Sequence, residues 1–78
     1  MDFRTIGPDG SVTSWWKVEP LYDYKEDCQT GREYADQFCR AVVDGEAQTA
    51  LLHIVEAFPY KKTGIEIGFM QRLTERII

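Results

Sequence analysis

Seventy-eight residues carry nine Lys and Arg against thirteen Asp and Glu, a net charge of −4, with 44% hydrophobic and 13% aromatic residues. A chain of this size forms one domain that buries about 60–65% of its unfolded surface, and its apolar content is too high for a disordered polymer. No apolar run approaches the roughly 20 residues that span a bilayer, and an acidic chain without a basic stripe is a poor direct ligand of nucleic acid.

The chain begins Met1-Asp2-Phe3-Arg4-Thr5, with no basic stretch followed by an apolar one. It therefore reads as a complete small cytoplasmic protein without a signal peptide, in which Cys28 and Cys39 stay free thiols. Residues 1–18 read as a β-hairpin. Phe3 to Ile6 is short and β-prone, and Gly7-Pro8-Asp9-Gly10 is a strong turn signal. From Ser11 the chain alternates: Val12, Ser14, Trp16 and Val18 point one way, Ser11, Thr13, Trp15 and Lys17 the other. Pro20 ends the strand. Leu21 to Tyr24 fits either a third short strand or the beginning of a helix near Asp23.

The part from residue 23 to 78 reads as helical. Thr30-Gly31-Arg32-Glu33 matches a capping box. The helix after it would carry Tyr34, Ala35, Phe38, Ala41 and Val42 on one face, with Asp36 and Arg40 as an ion pair on the other. Asp44-Gly45 breaks this helix, and Asp44 and Glu46 suit the first turn of the next. That next helix places Ala47, Ala50, Leu51, Ile54, Val55 and Phe58 on a stripe, and Pro59 stops it. Lys61 and Lys62 lie where they can meet its negative C-terminal end. Thr63-Gly64-Ile65-Glu66 is a second capping box, opening a last helix with Ile65, Phe69, Leu73 and Ile77 at i+4 spacing. Ile67, Met70 and Ile78 widen that face. Gly68 inside it suggests the close approach of another backbone, the hairpin being the candidate. The expected architecture is a small α+β domain, an N-terminal β-hairpin packed on two to three amphipathic helices. Its expected core includes Phe38, Leu51, Ile54, Phe58, Phe69 and Leu73.

The catalytic inventory is thin. His53 is the single histidine, and Glu56 at i+3 gives it an acid but no nucleophile. Cys28, Cys39 and His53 do not stand at metal-site spacing. Gly64 to Gly68 follows no strand and is not a phosphate loop. No catalytic residue, metal or cofactor is expected, and the chain is read as a non-enzyme.

The charge is where the information lies. Eight carboxylates against three basic residues fall between Glu19 and Glu46, a net of −5. Such a field draws basic partners. It also serves simply as a solvated helix face, and both readings stand at this point. Trp15-Trp16 adds to the first: if Trp16 is core, Trp15 is either displayed beside Tyr22 and Tyr24 or covered by the Leu21–Tyr24 segment. The candidate partner-binding residues are thus Glu19, Asp23, Glu26, Asp27, Glu33, Asp36, Trp15, Tyr22 and Tyr24. Replacing Glu26, Asp27, Glu33 and Asp36 by lysine should end partner binding without cost to the fold.

In size, acidity and lack of catalytic residues the chain resembles small phage-encoded inhibitors, notably anti-CRISPR proteins acting on type I complexes. Its stretch from Gly31-Arg32-Glu33-Tyr34-Ala35-Asp36 to Gly64-Ile65-Glu66-Ile67-Gly68-Phe69 is also similar to small bacterial and prophage proteins. The resemblance implies a cytoplasmic inhibitor in a bacterial host. Its acidic face would occupy the Lys/Arg-lined, DNA-binding surface of a Cas subunit and block target DNA. The alternative is a homodimeric interaction module using the last helix. Neither involves a membrane or direct contact with nucleic acid.

Overall fold

The computed structural model describes residues 1–45 and 49–77. Two strands, β1 (Thr5–Ile6) and β2 (Val12–Ser14), precede three helices, α1 (Tyr24–Val43), α2 (Ala50–Glu56) and α3 (Gly64–Ile77). The fold is α+β, as the sequence indicates. Glu46, Ala47 and Ile78, assigned above to helical positions, lie outside the described residues.

The hairpin is antiparallel, with Thr5 opposite Ser14 and Ile6 opposite Val12. Its turn is fixed by Asp9, whose Oδ1 accepts from the Ser11 N–H at 3.1 Å and the Ser11 hydroxyl at 2.7 Å. Gly10 supplies the left-handed φ of 85°. Regular pairing is shorter than the sequence suggests and ends at Ser14. The two chains stay together nonetheless, because the Lys17 N–H donates to the Phe3 carbonyl at 2.8 Å. The alternation holds: Trp16 is buried, while Ser11, Thr13 and Lys17 are exposed.

Phe3 and Trp16 carry the hairpin into an aromatic core. Phe69 of α3 meets Phe3 edge-on at 5.9 Å and Trp16 at 4.9 Å. Such tilted pairs are the favoured aromatic geometry. Ala35, Phe38, Ala41, Ile54, Ile65 and Leu73 complete the buried set. Leu51 departs from expectation at 37% exposed, and Phe58 is only half-buried. The reason is length: α2 has seven residues and turns just Ala50 and Ile54 fully inward.

One expectation fails at α1. The helix does not begin at Thr30. It begins at Tyr24, with Asp23 as N-cap accepting the Glu26 N–H at 3.2 Å, and runs unbroken for 20 residues. Thr30 lies inside it, and the Glu33 carboxylate accepts from the Gln29 side chain rather than capping. It ends at Asp44, where Gly45 takes φ 82° and donates its N–H to the Val42 carbonyl. The following helix begins only at Ala50, so Asp44 closes α1 and does not cap α2.

Gly31 has another purpose. A Cβ there would fall onto the Ile65 carbonyl of α3. One at Gly68 would fall onto the Cys28 carbonyl of α1, and one at Gly64 would lie 2.8 Å from the Asp27 Cβ. The backbone that approaches Gly68 is thus α1, not the hairpin. Three glycines let α1 and α3 pack backbone to backbone.

Charges lock the same pair of helices. Arg32 makes two bonds to Glu75, at 3.0 and 2.8 Å. Asp36 Oδ1 accepts from both Arg72 and Arg76 at 2.9 Å. Asp36 therefore pairs across to α3 instead of along α1 to Arg40, because α3 presents two guanidinium groups at contact distance.

Candidate partner-binding surface

The linker from Val18 to Asp23 joins the hairpin to α1, and a single carboxylate shapes it. Asp27, in the first turn of α1, is 2% exposed. Its Oδ1 accepts the Leu21 N–H at 2.9 Å and its Oδ2 the Tyr22 N–H at 3.0 Å. The sequence placed Asp27 on the acidic surface. It belongs instead to the fold, since its oxygens are spent on backbone donors that would otherwise lack partners.

This brace holds Tyr22 at φ 62°, the only left-handed non-glycine among the described residues. The conformation costs a tyrosine roughly 1–2 kcal/mol. The ring gains no burial in return, being 85% exposed. Leu21 and Tyr24 on either side are also exposed, at 66% and 62%. The Cys28 thiol, one turn along α1, holds the Tyr24 hydroxyl above its ordinary value of 10.0.

Tyr22 and Tyr24 form one side of a groove of about 730 Å³, with Lys61 and Lys62 also lining it and Trp16 contributing an apolar wall. Lys62 Nζ donates to the Pro59 and Tyr60 carbonyls, which fixes this linker beyond α2. Beneath lies Glu66, 1% exposed, accepting the Trp16 indole N–H at 2.8 Å and the Thr63 N–H at 2.6 Å. The second capping box is therefore present as read, with an additional donor from the hairpin.

The remaining candidates divide. Glu19, Asp23, Glu26 and Glu33 are exposed. Glu19 and Asp23 flank the Tyr22 linker in sequence, and Glu26 lies in the first turn of α1. Asp36 is half-buried and bound to arginines, which hold its carboxyl below the ordinary 3.8, Arg72 most strongly. Trp15 is half-buried and stacks on His53 of α2, centroids 5.3 Å apart at 15°. The four carboxylates Glu26, Asp27, Glu33 and Asp36 therefore do not form one solvated face: two of them hold the structure together.

Lys61, Lys62 and Glu66 line this groove but are not among the candidate partner-binding residues. The signal for Glu66 was available, since a buried indole N–H needs an acceptor. Nothing in the sequence put Lys61 and Tyr22 on one groove, because they line it only through tertiary packing.

Among the described residues, no group of three or more His, Cys, Asp or Glu is placed to hold a metal ion, and no helix is long and apolar enough to cross a membrane. No protein-family model, curated protein or solved structure matches this chain.

Proposed function

We propose that this protein is a binding module that inhibits by occupancy. Tyr22 and Tyr24 anchor it, and Glu19, Asp23 and Glu26 steer it, onto the basic, nucleic-acid-binding surface of a host protein. A DNA-binding Cas subunit of a type I complex is the favoured instance. The observation that carries this reading is Tyr22: an aromatic ring fully displayed on a strained backbone that Asp27 holds in place. Strain that the fold does not need is a mark of a functional position. Rigid, exposed tyrosines match the chemistry of interface anchors, because little side-chain entropy is lost on docking. The flanking carboxylates supply long-range attraction to a cationic groove, which raises association rates more than it raises final affinity. Occupying such a groove excludes DNA without any bond being made or broken.

The test is surface plasmon resonance against purified type I complexes, with target-DNA loading measured in parallel. Binding should weaken as salt rises, and DNA loading should fall as the site fills. Tyr22→Ala should lose binding while its circular dichroism stays native. No binding at low salt, or binding that leaves DNA loading intact, overturns the reading.

A further inference from the structure

The groove that Tyr22 and Tyr24 border has a charged floor. Asp27 and Glu66 both line it, at 2% and 1% exposed. Among the described residues, Asp27 Oδ1, Asp27 Oδ2 and Glu66 Oε2 each accept one hydrogen bond, from Leu21, Tyr22 and Trp16 respectively. A carboxylate oxygen has two acceptor positions, so each of the three keeps one. Three aromatic side chains, Trp16, Tyr22 and Tyr24, share the lining.

Charges of both signs meet here, since Lys61 and Lys62 line the groove too. Burial decides which sign an occupant feels. Both lysines are exposed, where water and salt screen them, and Lys62 Nζ is engaged by the Pro59 and Tyr60 carbonyls. The two carboxylates lie in the interior, where a charge acts more strongly on a group that has displaced water. Aromatic faces add negative potential of their own. The groove therefore favours a cation that can also stack.

We infer that its occupant is an arginine side chain of the partner protein. The inference rests on the docking reading above and names the group that Tyr22 and Tyr24 engage. Guanidinium suits the lining better than ammonium does. It is planar, weakly hydrated and stacks on aromatic faces, and it carries five donors for the unused acceptor positions. Tyrosine and arginine are also the residue types in which interface binding energy concentrates.

Titration of the isotope-labelled full chain with Nα-acetyl-arginine amide, followed through its amide shifts, tests this without any partner. The neutral isostere Nα-acetyl-citrulline amide and the anion Nα-acetyl-glutamate amide are titrated alongside at matched ionic strength. Arginine should shift the Tyr22, Tyr24 and Gly64 amides saturably, in the millimolar range, and the other two should not. Tyr24→Leu should weaken arginine binding about two- to fivefold, while Tyr24→Phe, which keeps the ring, should bind as wild type does. Tyr24 is exposed enough for both variants to fold, and Tyr22→Leu is a second probe of the same groove. No saturable shift with arginine, an equal response to citrulline or glutamate, or wild-type binding in both leucine variants overturns the inference. Capture of a type I complex without arginine binding overturns it too and leaves the docking reading standing. Arginine binding without capture does the reverse.

Discussion

The indole N–H of Trp16 donates to Glu66 Oε2 at 2.8 Å, while Glu66 Oε1 accepts the Thr63 N–H and hydroxyl at 2.6 and 2.8 Å. One buried carboxylate thus ties the hairpin to the first turn of α3. Glu66→Ala leaves a buried indole donor without an acceptor and removes a helix cap. Each loss costs on the order of 1–2 kcal/mol, so urea unfolding should show about 2–4 kcal/mol of destabilisation in a small domain. Trp16→Phe should destabilise as well, because it leaves the buried Glu66 Oε2 without its donor and opens space in the aromatic core. A Glu66→Ala variant as stable as wild type would mean that this link contributes nothing.

Gly31 and Gly68 reverse an ordinary rule. In an exposed helix interior, alanine is favoured over glycine by roughly 1 kcal/mol. Here a Cβ at Gly31 collides with the Ile65 carbonyl and one at Gly68 with the Cys28 carbonyl, both backbone groups that cannot rotate away. Gly31→Ala and Gly68→Ala should each destabilise by about 2 kcal/mol or more, as overpacking does. Thermal melts of the two variants decide the sign. A rise in melting temperature for either would show that the helices are free to separate.

These two residues also show where the sequence was legible. Thr30-Gly31-Arg32-Glu33 and Thr63-Gly64-Ile65-Glu66 look alike, and both were read as caps. A capping box is a local device, but its residue types do not exclude a helix interior. Asp23, in a segment that fits either a third short strand or the beginning of a helix, captures the start of α1, and the helix then runs through Thr30. The glycine in each motif answers to the other helix, a tertiary fact that no local pattern encodes. Asp27 failed for a related reason. A carboxylate in a first helical turn looks the same whether it faces water or receives N–H groups from the preceding linker. Hydrophobic alternation, by contrast, placed Trp16 inside correctly, because one residue of slip would have exposed it. Of the acidic run, Glu19, Asp23, Glu26 and Glu33 remain on the surface, while Asp27 and Asp36 are structural.

Acid should loosen the α1–α3 contact. Hydrogen bonds from Arg72 and Arg32 hold the Asp36 and Glu75 carboxyls below their ordinary values of 3.8 and 4.5. A carboxyl whose value is lower in the folded state binds fewer protons there than in the unfolded chain. Its contribution is therefore complete above the ordinary value and is lost as pH falls through the lower folded value. Urea midpoints should stay level from neutral pH down to the ordinary carboxylate range and drop below it. Asp36→Asn should flatten that drop, and added salt should reduce its height because these pairs are partly exposed. An identical acid profile in Asp36→Asn would exclude this pair as its source.

Tyr22 gives the sharpest separation of fold from function. Glycine adopts φ 62° without the Cβ clash, although it loses more backbone entropy on folding. The ring that Tyr22→Gly removes is 85% exposed and contributes little burial. The net should be a domain unchanged or more stable by up to about 1 kcal/mol, as compatible substitutions at strained positions behave. The same variant should lose the docking contact, since the anchoring ring is gone. Asp27→Ala removes the brace and keeps the ring. It strips the acceptors from the Leu21 and Tyr22 N–H groups, so stability should fall by about 1–3 kcal/mol with the tyrosine still present. Parallel urea melts and binding isotherms on the two variants decide the matter. If Tyr22→Gly weakens the fold and leaves binding intact, then Tyr22 is a structural residue and the docking surface lies elsewhere.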